Sequence, residues 1–185
     1  MAETAKLSED QIHYLRTVLG VDSVVLPGID PAAKSEFITS APVLEDGSQW
    51  RSSGDENAAK ILCLVSSETT AFPLDGDSGE LTRKMIDAMK LLPSEVYILE
   101  WTHAHTPAPK EIMQTLLRTA KPALIFGAGT ARSVIGHFPK IGEWSSFEGV
   151  RFVATESPLD LLARPELKRV AWAHMQAFMK GLSFG

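Results

Sequence analysis

Side chains that could do acid–base or nucleophilic chemistry cluster in one polar stretch, residues 66–78. Its carboxylates could activate water as general bases, with helix capping or a solvated loop as the structural alternative. Its serines could act as nucleophiles, but the sequence supplies no recognisable His and Asp partners for a triad. The candidate bases are Glu68, Asp75 and Asp77. The candidate nucleophiles are Ser66, Ser67 and, farther along the chain, Ser157.

The residues just before this stretch indicate how it is positioned. Residues 61–65 are continuously apolar, which is typical of a strand covered on both faces in a parallel sheet. In open α/β sheets, ligands bind in the crevice at the carboxyl ends of the strands. We therefore expect the polar stretch to line such a crevice.

Two further patterns permit binding chemistry. Glu100, His103 and His105 carry carboxylate and imidazole groups that suit zinc or iron, with an exposed loop as the alternative. The Gly-Ala-Gly turn at residues 127–129 could bind phosphate at a helix N-terminus, but Arg132 replaces the third glycine of the dinucleotide fingerprint. We interpret it as a tight turn and expect no metal and no cofactor.

Composition limits the class of protein. A chain of 185 residues that is 44% hydrophobic can form one core, so we expect one domain plus an appendage. The single cysteine, Cys63, excludes an intrachain disulfide and multi-cysteine metal sites, which favours a reducing, cytoplasmic location. No segment approaches the roughly 20 apolar residues of a membrane span. A net charge of -5 disfavours broad nucleic-acid binding.

Hydrophobic patterning predicts four strand–helix repeats within residues 59–185. Asp77 and Glu80 form a predicted capping box at the start of the first helix. Right-handed crossovers between the repeats would give a four-stranded parallel sheet with helices on both faces, a three-layer α/β domain. The predicted strands are residues 61–65, 96–101, 122–126 and 150–154.

We predict that residues 1–58 form an arm that precedes the domain. A short helix from Ser8 to Leu19 carries one apolar stripe, and residues 28–58 read as an irregular linker rich in Pro, Ser, Gly and acidic residues. The stripe favours a helix that docks in a groove of a partner protein, with packing along the body as the alternative. The residues predicted to contact the partner are Ile12, Tyr14, Leu15, Arg16 and Leu19.

Several motifs stand in a recognisable order between residues 59 and 182. They are Gly76-Asp77-Ser78-Gly79-Glu80-Leu81, Thr106-Pro107-Ala108-Pro109-Lys110-Glu111-Ile112 and, most strongly, residues 155–168 beginning Thr155-Glu156-Ser157-Pro158. In this order they resemble the uracil-DNA glycosylase superfamily, especially its bacterial family-4 branch. The resemblance implies a Rossmann-like sheet with its four strands in the order 2-1-3-4.

The positions that matter for glycosylase chemistry are changed in this chain. The resemblance places Ser67 at the catalytic acid, with Glu68 one step away, and Leu74 at the aromatic that stacks on uracil. It implies a degenerate pocket without glycosylase activity; the alternative is a divergent DNA glycosylase that uses Glu68, Glu100 and Ser157. The base-reading asparagine becomes Glu100 and the histidine of the His-Pro motif becomes Ser157. The pocket positions are Ser66, Ser67, Glu68, Leu74, Glu100 and Ser157.

A second resemblance involves the arm. Gln11-Ile12-His13-Tyr14-Leu15, Phe147-Glu148-Gly149 and Ser157-Pro158-Leu159 are similar to the psi subunit of bacterial DNA polymerase III, a non-enzymatic accessory of the clamp loader. This similarity implies that the arm binds the clamp loader. Beside the altered His-Pro motif, Arg164, Lys168 and Arg169 are candidate contacts for weak nucleic-acid binding, with a solvated helix face as the alternative.

Overall fold

The computed structural model describes residues 49–102 and 108–182. The strands are β1 (Trp50–Ser53), β2 (Ile61–Ser66), β3 (Val96–Trp101), β4 (Ala123–Phe126), β5 (Trp144–Phe147) and β6 (Val150–Thr155). The α-helices are α1 (Asp77–Ala88), α2 (Lys110–Thr119), α3 (Ala128–Ile135), α4 (Pro158–Ala163) and α5 (Lys168–Leu182). Short 3-10 helices are formed by Pro93–Glu95 and Pro165–Leu167.

The strands form one six-stranded sheet in the order β1-β3-β2-β4-β6-β5. Neighbouring strands among the inner four are parallel, whereas β1 and β5 are antiparallel to their neighbours at the two outer edges. The predicted α/β class is confirmed. The prediction of a four-stranded, wholly parallel sheet is wrong, because the sheet is mixed and has two more strands.

Both additional strands are short and half-buried, which explains why they lack the apolar run of a central strand. β1 has the sequence Trp-Arg-Ser-Ser and pairs Trp50 with Trp101 and Arg51 with Glu100. Its residues fall inside the stretch predicted as irregular linker, so that prediction is wrong for residues 50–53. β5 forms a hairpin with β6 through Glu148 and Gly149, which have φ of 49° and 83°, as a two-residue type I′ turn requires.

Helices cover both faces of the sheet. α1, α4 and α5 pack on one face, where Met85, Leu161 and Phe178 are fully buried against alternate residues of the inner strands. α2 and α3 pack on the other face through residues such as Ile112 and Ala131. Helices therefore cover both faces of the inner strands, in agreement with the continuous apolar sequences of these strands.

The start of α1 differs from its prediction. The N-cap is Gly76, no side chain caps the helix, and Glu80 instead pairs with Lys84 at 2.9 Å. The capping box between Asp77 and Glu80 is therefore wrong. The hydroxyl of Ser78 donates to the carbonyl oxygens of Pro73 at 2.5 Å and Asp75 at 3.0 Å, which ties the helix to the preceding loop.

Several predicted features lie on residues outside the described ranges. These include the predicted helix from Ser8 to Leu19 with its partner-binding residues, and the candidate metal ligands His103 and His105. None of the helices in the described ranges is long and apolar enough to cross a membrane.

Candidate functional site

We call the region around the carboxyl ends of β2, β4 and β6 the crevice, because strand topology predicts a ligand-binding crevice there. β2 and β4 are adjacent and parallel, yet β2 leads to α1 on one face of the sheet and β4 leads to α3 on the other. Such a reversal of direction is the usual ligand-binding position in an open α/β sheet. The polar loop of residues 67–76 therefore lies at the expected position.

Two buried hydroxyl groups, those of Ser66 and Thr130, meet in this region. Thr130, in the first turn of α3, accepts a hydrogen bond from the backbone amide of Ser66 at 3.1 Å, and the two hydroxyls lie 2.8 Å apart. Gly127 has a φ of 95°, and a Cβ at this residue would be 3.2 Å from Cβ of Ser157. The ends of β2, β4 and β6 are thus packed together, and Ser66 is held in place by Thr130.

Glu68 is the exposed carboxylate of the crevice. Its Oε1 lies 3.8 Å from the position that a Cβ on Gly129 would occupy, so it stands beside the first turn of α3. The neighbouring Ser67 is buried, and its hydroxyl donates to the carbonyl oxygen of Ala71 at 2.6 Å. Ser67 therefore organises its own loop, and Glu68 is the group that could meet a ligand.

Glu100 occupies a different environment from the one expected for a base-reading residue. It is 6% exposed. Its Oε1 accepts a hydrogen bond from Arg51 Nε at 2.6 Å, and its Oε2 accepts one from the backbone amide of Leu74 at 3.1 Å. Burial raises the pKa of Glu100, and the interaction with Arg51 opposes that shift. Both carboxylate oxygens are thus engaged by the protein itself.

Arg51 joins edge strand β1 to the polar loop. Besides Glu100, its guanidinium binds Asp75 Oδ1 at 2.6 Å and lies 4.1 Å from the centre of the Phe72 ring. We call Arg51, Phe72, Leu74, Asp75 and Glu100 the arginine clamp. Leu74 also packs against the core beneath α1, so the clamp fixes the loop over the ends of β2 and β3.

Ser157 is a helix cap. Its hydroxyl donates to Asp160 Oδ2 at 2.7 Å and accepts a hydrogen bond from the backbone amide of Asp160 at 3.1 Å. The same carboxylate accepts a hydrogen bond from Arg164 at 2.8 Å through Oδ1. Of the three candidate basic residues, Arg164 is therefore engaged in an ion pair, and nucleic-acid binding by Arg164, Lys168 and Arg169 stays a prediction.

The structure thus separates the six pocket positions into two groups. Ser66, Glu68 and Ser157 lie around the crevice between β2, β4 and β6, whereas Leu74 and Glu100 belong to the arginine clamp and Ser67 lies in the loop between them. Within the described ranges, no three His, Cys, Asp or Glu side chains are grouped as metal ligands.

Two organising residues, Arg51 and Thr130, are absent from the sequence-based predictions. Arg51 belongs to the strand that was read as linker, and only its pairing with β3 brings it to Glu100. Thr130 follows the Gly-Ala-Gly turn directly. A hydroxyl residue directly after a glycine turn lies in the first turn of the following helix, and this pattern could have identified Thr130 from the sequence.

Comparisons with known proteins add no family assignment: no protein-family model matches the chain, and no curated protein matches it either.

Proposed function

We propose that this chain is a non-catalytic, uracil-DNA glycosylase-like protein that serves in the cytoplasm as a protein-binding accessory, in the manner of the psi subunit of the replicative clamp loader. The observation that supports this proposal best is the arginine clamp. Arg51 and the Leu74 amide occupy both oxygens of Glu100, at the position where the resemblance places the base-reading amide.

Excising a base requires that the enzyme extrude it, grip its edge and stabilise charge on the leaving group. A carboxylate at Glu100 offers only acceptors, which repel the carbonyl oxygens of uracil. Leu74 supplies no aromatic face, and Ser157 is engaged with Asp160. Leu74, Glu100 and Ser157, three of the four altered positions, therefore each make a structural interaction, which supports the proposal that they do not serve in catalysis.

The first expected result is that the protein releases no base from DNA. Loss of a single preorganised group commonly lowers the rate by about 100-fold to 1000-fold, so several losses together leave no measurable turnover. The measurement uses single-stranded and duplex oligonucleotides that carry uracil or hypoxanthine, followed by alkaline cleavage.

Glu68→Gln is the diagnostic variant for the alternative function, a divergent DNA glycosylase. Glu68 is exposed at the crevice, so its replacement should leave the fold intact. Turnover by the natural chain that Glu68→Gln abolishes would contradict the accessory proposal and identify Glu68 as the general base. Glu100→Gln is less suitable, because it also breaks the arginine clamp.

The position of β1 supports a binding role for the arm. Because β1 runs antiparallel to β3, Trp50 lies beside Trp101 at the carboxyl end of the parallel strands, and the Gln49 amide donates to Thr102 Oγ1 at 3.0 Å. Gln49, the first described residue of this part of the chain, therefore lies at the carboxyl end of the parallel strands, the same end of the sheet as the crevice. We propose that Ile12, Tyr14, Leu15, Arg16 and Leu19 contact the clamp loader, with little or no direct contribution from nucleic acid.

The second expected result is that removing residues 1–44 abolishes recovery of clamp-loader subunits in a pull-down, while the domain stays folded by circular dichroism. The truncation must keep β1, because loss of Arg51 would leave Glu100 buried without its partner. Leu15→Asp in the full chain is the matched point variant and should lose the same subunits. Equal recovery by the full and shortened chains would show that the arm is not the binding element.

A further inference from the structure

His174 lies in α5, where this helix packs against β6. Its side chain is half-buried, and Nδ1 lies 3.3 Å from Oγ1 of Thr155, the fully buried last residue of β6. The imidazole also lies against the backbone of Gly142: a Cβ built there would be 2.2 Å from Cδ2 and 2.5 Å from Nε2. The ring therefore occupies space that only a glycine leaves open.

Gly142 belongs to the segment between α3 and β5, residues 137–143, which we call the connecting segment. Its backbone is attached to the end of β6, since the Gly142 amide donates to the carbonyl oxygen of Ala154 at 2.8 Å and Ile141 forms a parallel bridge with Ala154. Four of its residues line a cavity of about 400 Å³ next to β5: His137, Phe138, Pro139 and Lys140. The position of the connecting segment therefore sets one wall of this cavity.

The contacts of His174 suit a neutral imidazole better than an imidazolium ion, which has a second N–H to satisfy. Nδ1 can share a hydrogen bond with Thr155 in either state. Nε2 lies against Gly142, and none of the described residues accepts a hydrogen bond from it. Burial lowers the pKa of His174, and the nearby carboxylate of Glu156 opposes that shift.

Few other charges surround His174. Within one turn on either side of it, α5 carries no charged side chain. On β6 and the connecting segment, the titratable groups besides Glu156 are His137, Lys140, Glu143 and Arg151. Lys140 and Glu143 pair with each other at 3.5 Å, and Arg151 lies at the other end of β6. Glu156 and His137 are therefore the groups that a titration of His174 must be separated from.

We propose that His174 is a pH-sensitive latch that holds the connecting segment on β6. The neutral ring stays between Thr155 and Gly142 and keeps the segment in place. The protonated ring leaves this position for water, which frees Gly142 from Ala154 and moves one wall of the cavity. Because the pKa is lowered in the latched state, latching is complete above the ordinary histidine pKa of about 6.5 and is lost as pH falls through the lowered value.

The test is hydrogen exchange of the Gly142 amide in the full chain, corrected for the intrinsic pH dependence of exchange. We expect the opening constant of the connecting segment to rise as pH falls from 7 to 5, by at most tenfold per pH unit, because opening takes up one proton. The side-chain NMR signals of His174 should titrate below the pKa of an exposed histidine. The amide of Leu64, in the buried centre of β2, should stay protected throughout and so exclude global unfolding.

Variants assign the effect to His174. His174→Phe keeps a ring against Gly142 without a titratable group, so the pH dependence should disappear; His174→Gln gives the same comparison if the phenylalanine variant does not fold. Glu156→Gln should move the midpoint to lower pH, because it removes the carboxylate that favours protonation.

His137→Gln is the matched control, since it removes a histidine of the connecting segment whose Nδ1 lies 3.2 Å from the carbonyl oxygen of Ile135. It should leave the pH dependence unchanged. Three results would overturn the proposal. They are an opening constant that does not change with pH, a pKa of His174 at or above that of an exposed histidine, and a pH dependence that persists when His174 is replaced.

Discussion

Replacing Arg51 with leucine is expected to destabilise the domain by about 3 kcal/mol at neutral pH, the lower end of the cost of leaving a buried charge unpaired. The side chain of Glu100 is 8% exposed and that of Arg51 is 24% exposed, so water can screen part of the loss. The variant keeps Glu100 buried but removes the hydrogen bond at 2.6 Å that compensates its charge.

The loss of stability in Arg51→Leu should depend on pH, and the titration of Glu100 decides whether it grows or shrinks as pH falls. Burial raises the pKa of Glu100, and Arg51 opposes the shift, so the variant should have a higher pKa still. A carboxyl group with a raised pKa in the folded state stabilises the fold below its unfolded pKa, and that contribution is lost as pH rises through the folded pKa. Arg51→Leu should therefore recover toward the natural stability as pH falls from 7 to about 4.

Urea unfolding at a series of pH values measures this effect. The double variant Arg51→Leu/Glu100→Leu should regain much of the loss at pH 7, because it leaves no unpaired charge. Arg118→Leu is the matched control: it removes an ion pair to Glu56 of 2.7 Å, but the arginine is 60% exposed, so its cost should be below about 1 kcal/mol. Similar costs for Arg51→Leu and Arg118→Leu would contradict the clamp.

The inner strands could be predicted from the sequence because both of their faces are buried, which gives them continuous apolar sequences. Residues 61–65 and 96–101 form apolar runs, and β3 has the predicted bounds. β1 and β5 could not be read in this way, since each has four residues and is half-buried. β1 depends on a partner far along the chain, Trp101 for Trp50, whereas β5 is the short hairpin partner of β6 and places Trp144 beside Val153.

The same limitation applies to the candidate site. Loop position placed Ser66 and Glu68 at the crevice, since a loop that follows a buried parallel strand must leave from its carboxyl end. The role of Glu100 could not be deduced, because the residue that engages it, Arg51, lies 49 positions earlier. A carboxylate at a strand end is consistent with a ligand site or an internal ion pair, and only tertiary structure distinguishes the two.

Gly79→Ala is expected to destabilise the domain by about 2 kcal/mol, although helix propensity alone predicts a gain of about 0.5–1 kcal/mol for this change inside a helix. Gly79 is the third residue of α1. A Cβ at this position would overlap the carbonyl oxygen of Leu74. That backbone cannot retreat freely, because its amide is bound to Glu100 and its side chain packs on the core, so the collision carries the cost of overpacking.

Gly76→Ala provides the comparison that isolates the collision. Gly76 has a φ of 64° and a ψ of -136°, a combination that few residues other than glycine adopt, and no atom lies within 4 Å of a Cβ built there. This change should therefore cost only the backbone strain, about 1–3 kcal/mol. Hydrogen exchange adds a local measurement, since Gly79→Ala should reduce the protection of the Leu74 amide and Gly76→Ala should leave it intact. A Gly79→Ala domain that is more stable than the natural one, with Leu74 still protected, would mean that the polar loop is not held against α1 by the arginine clamp.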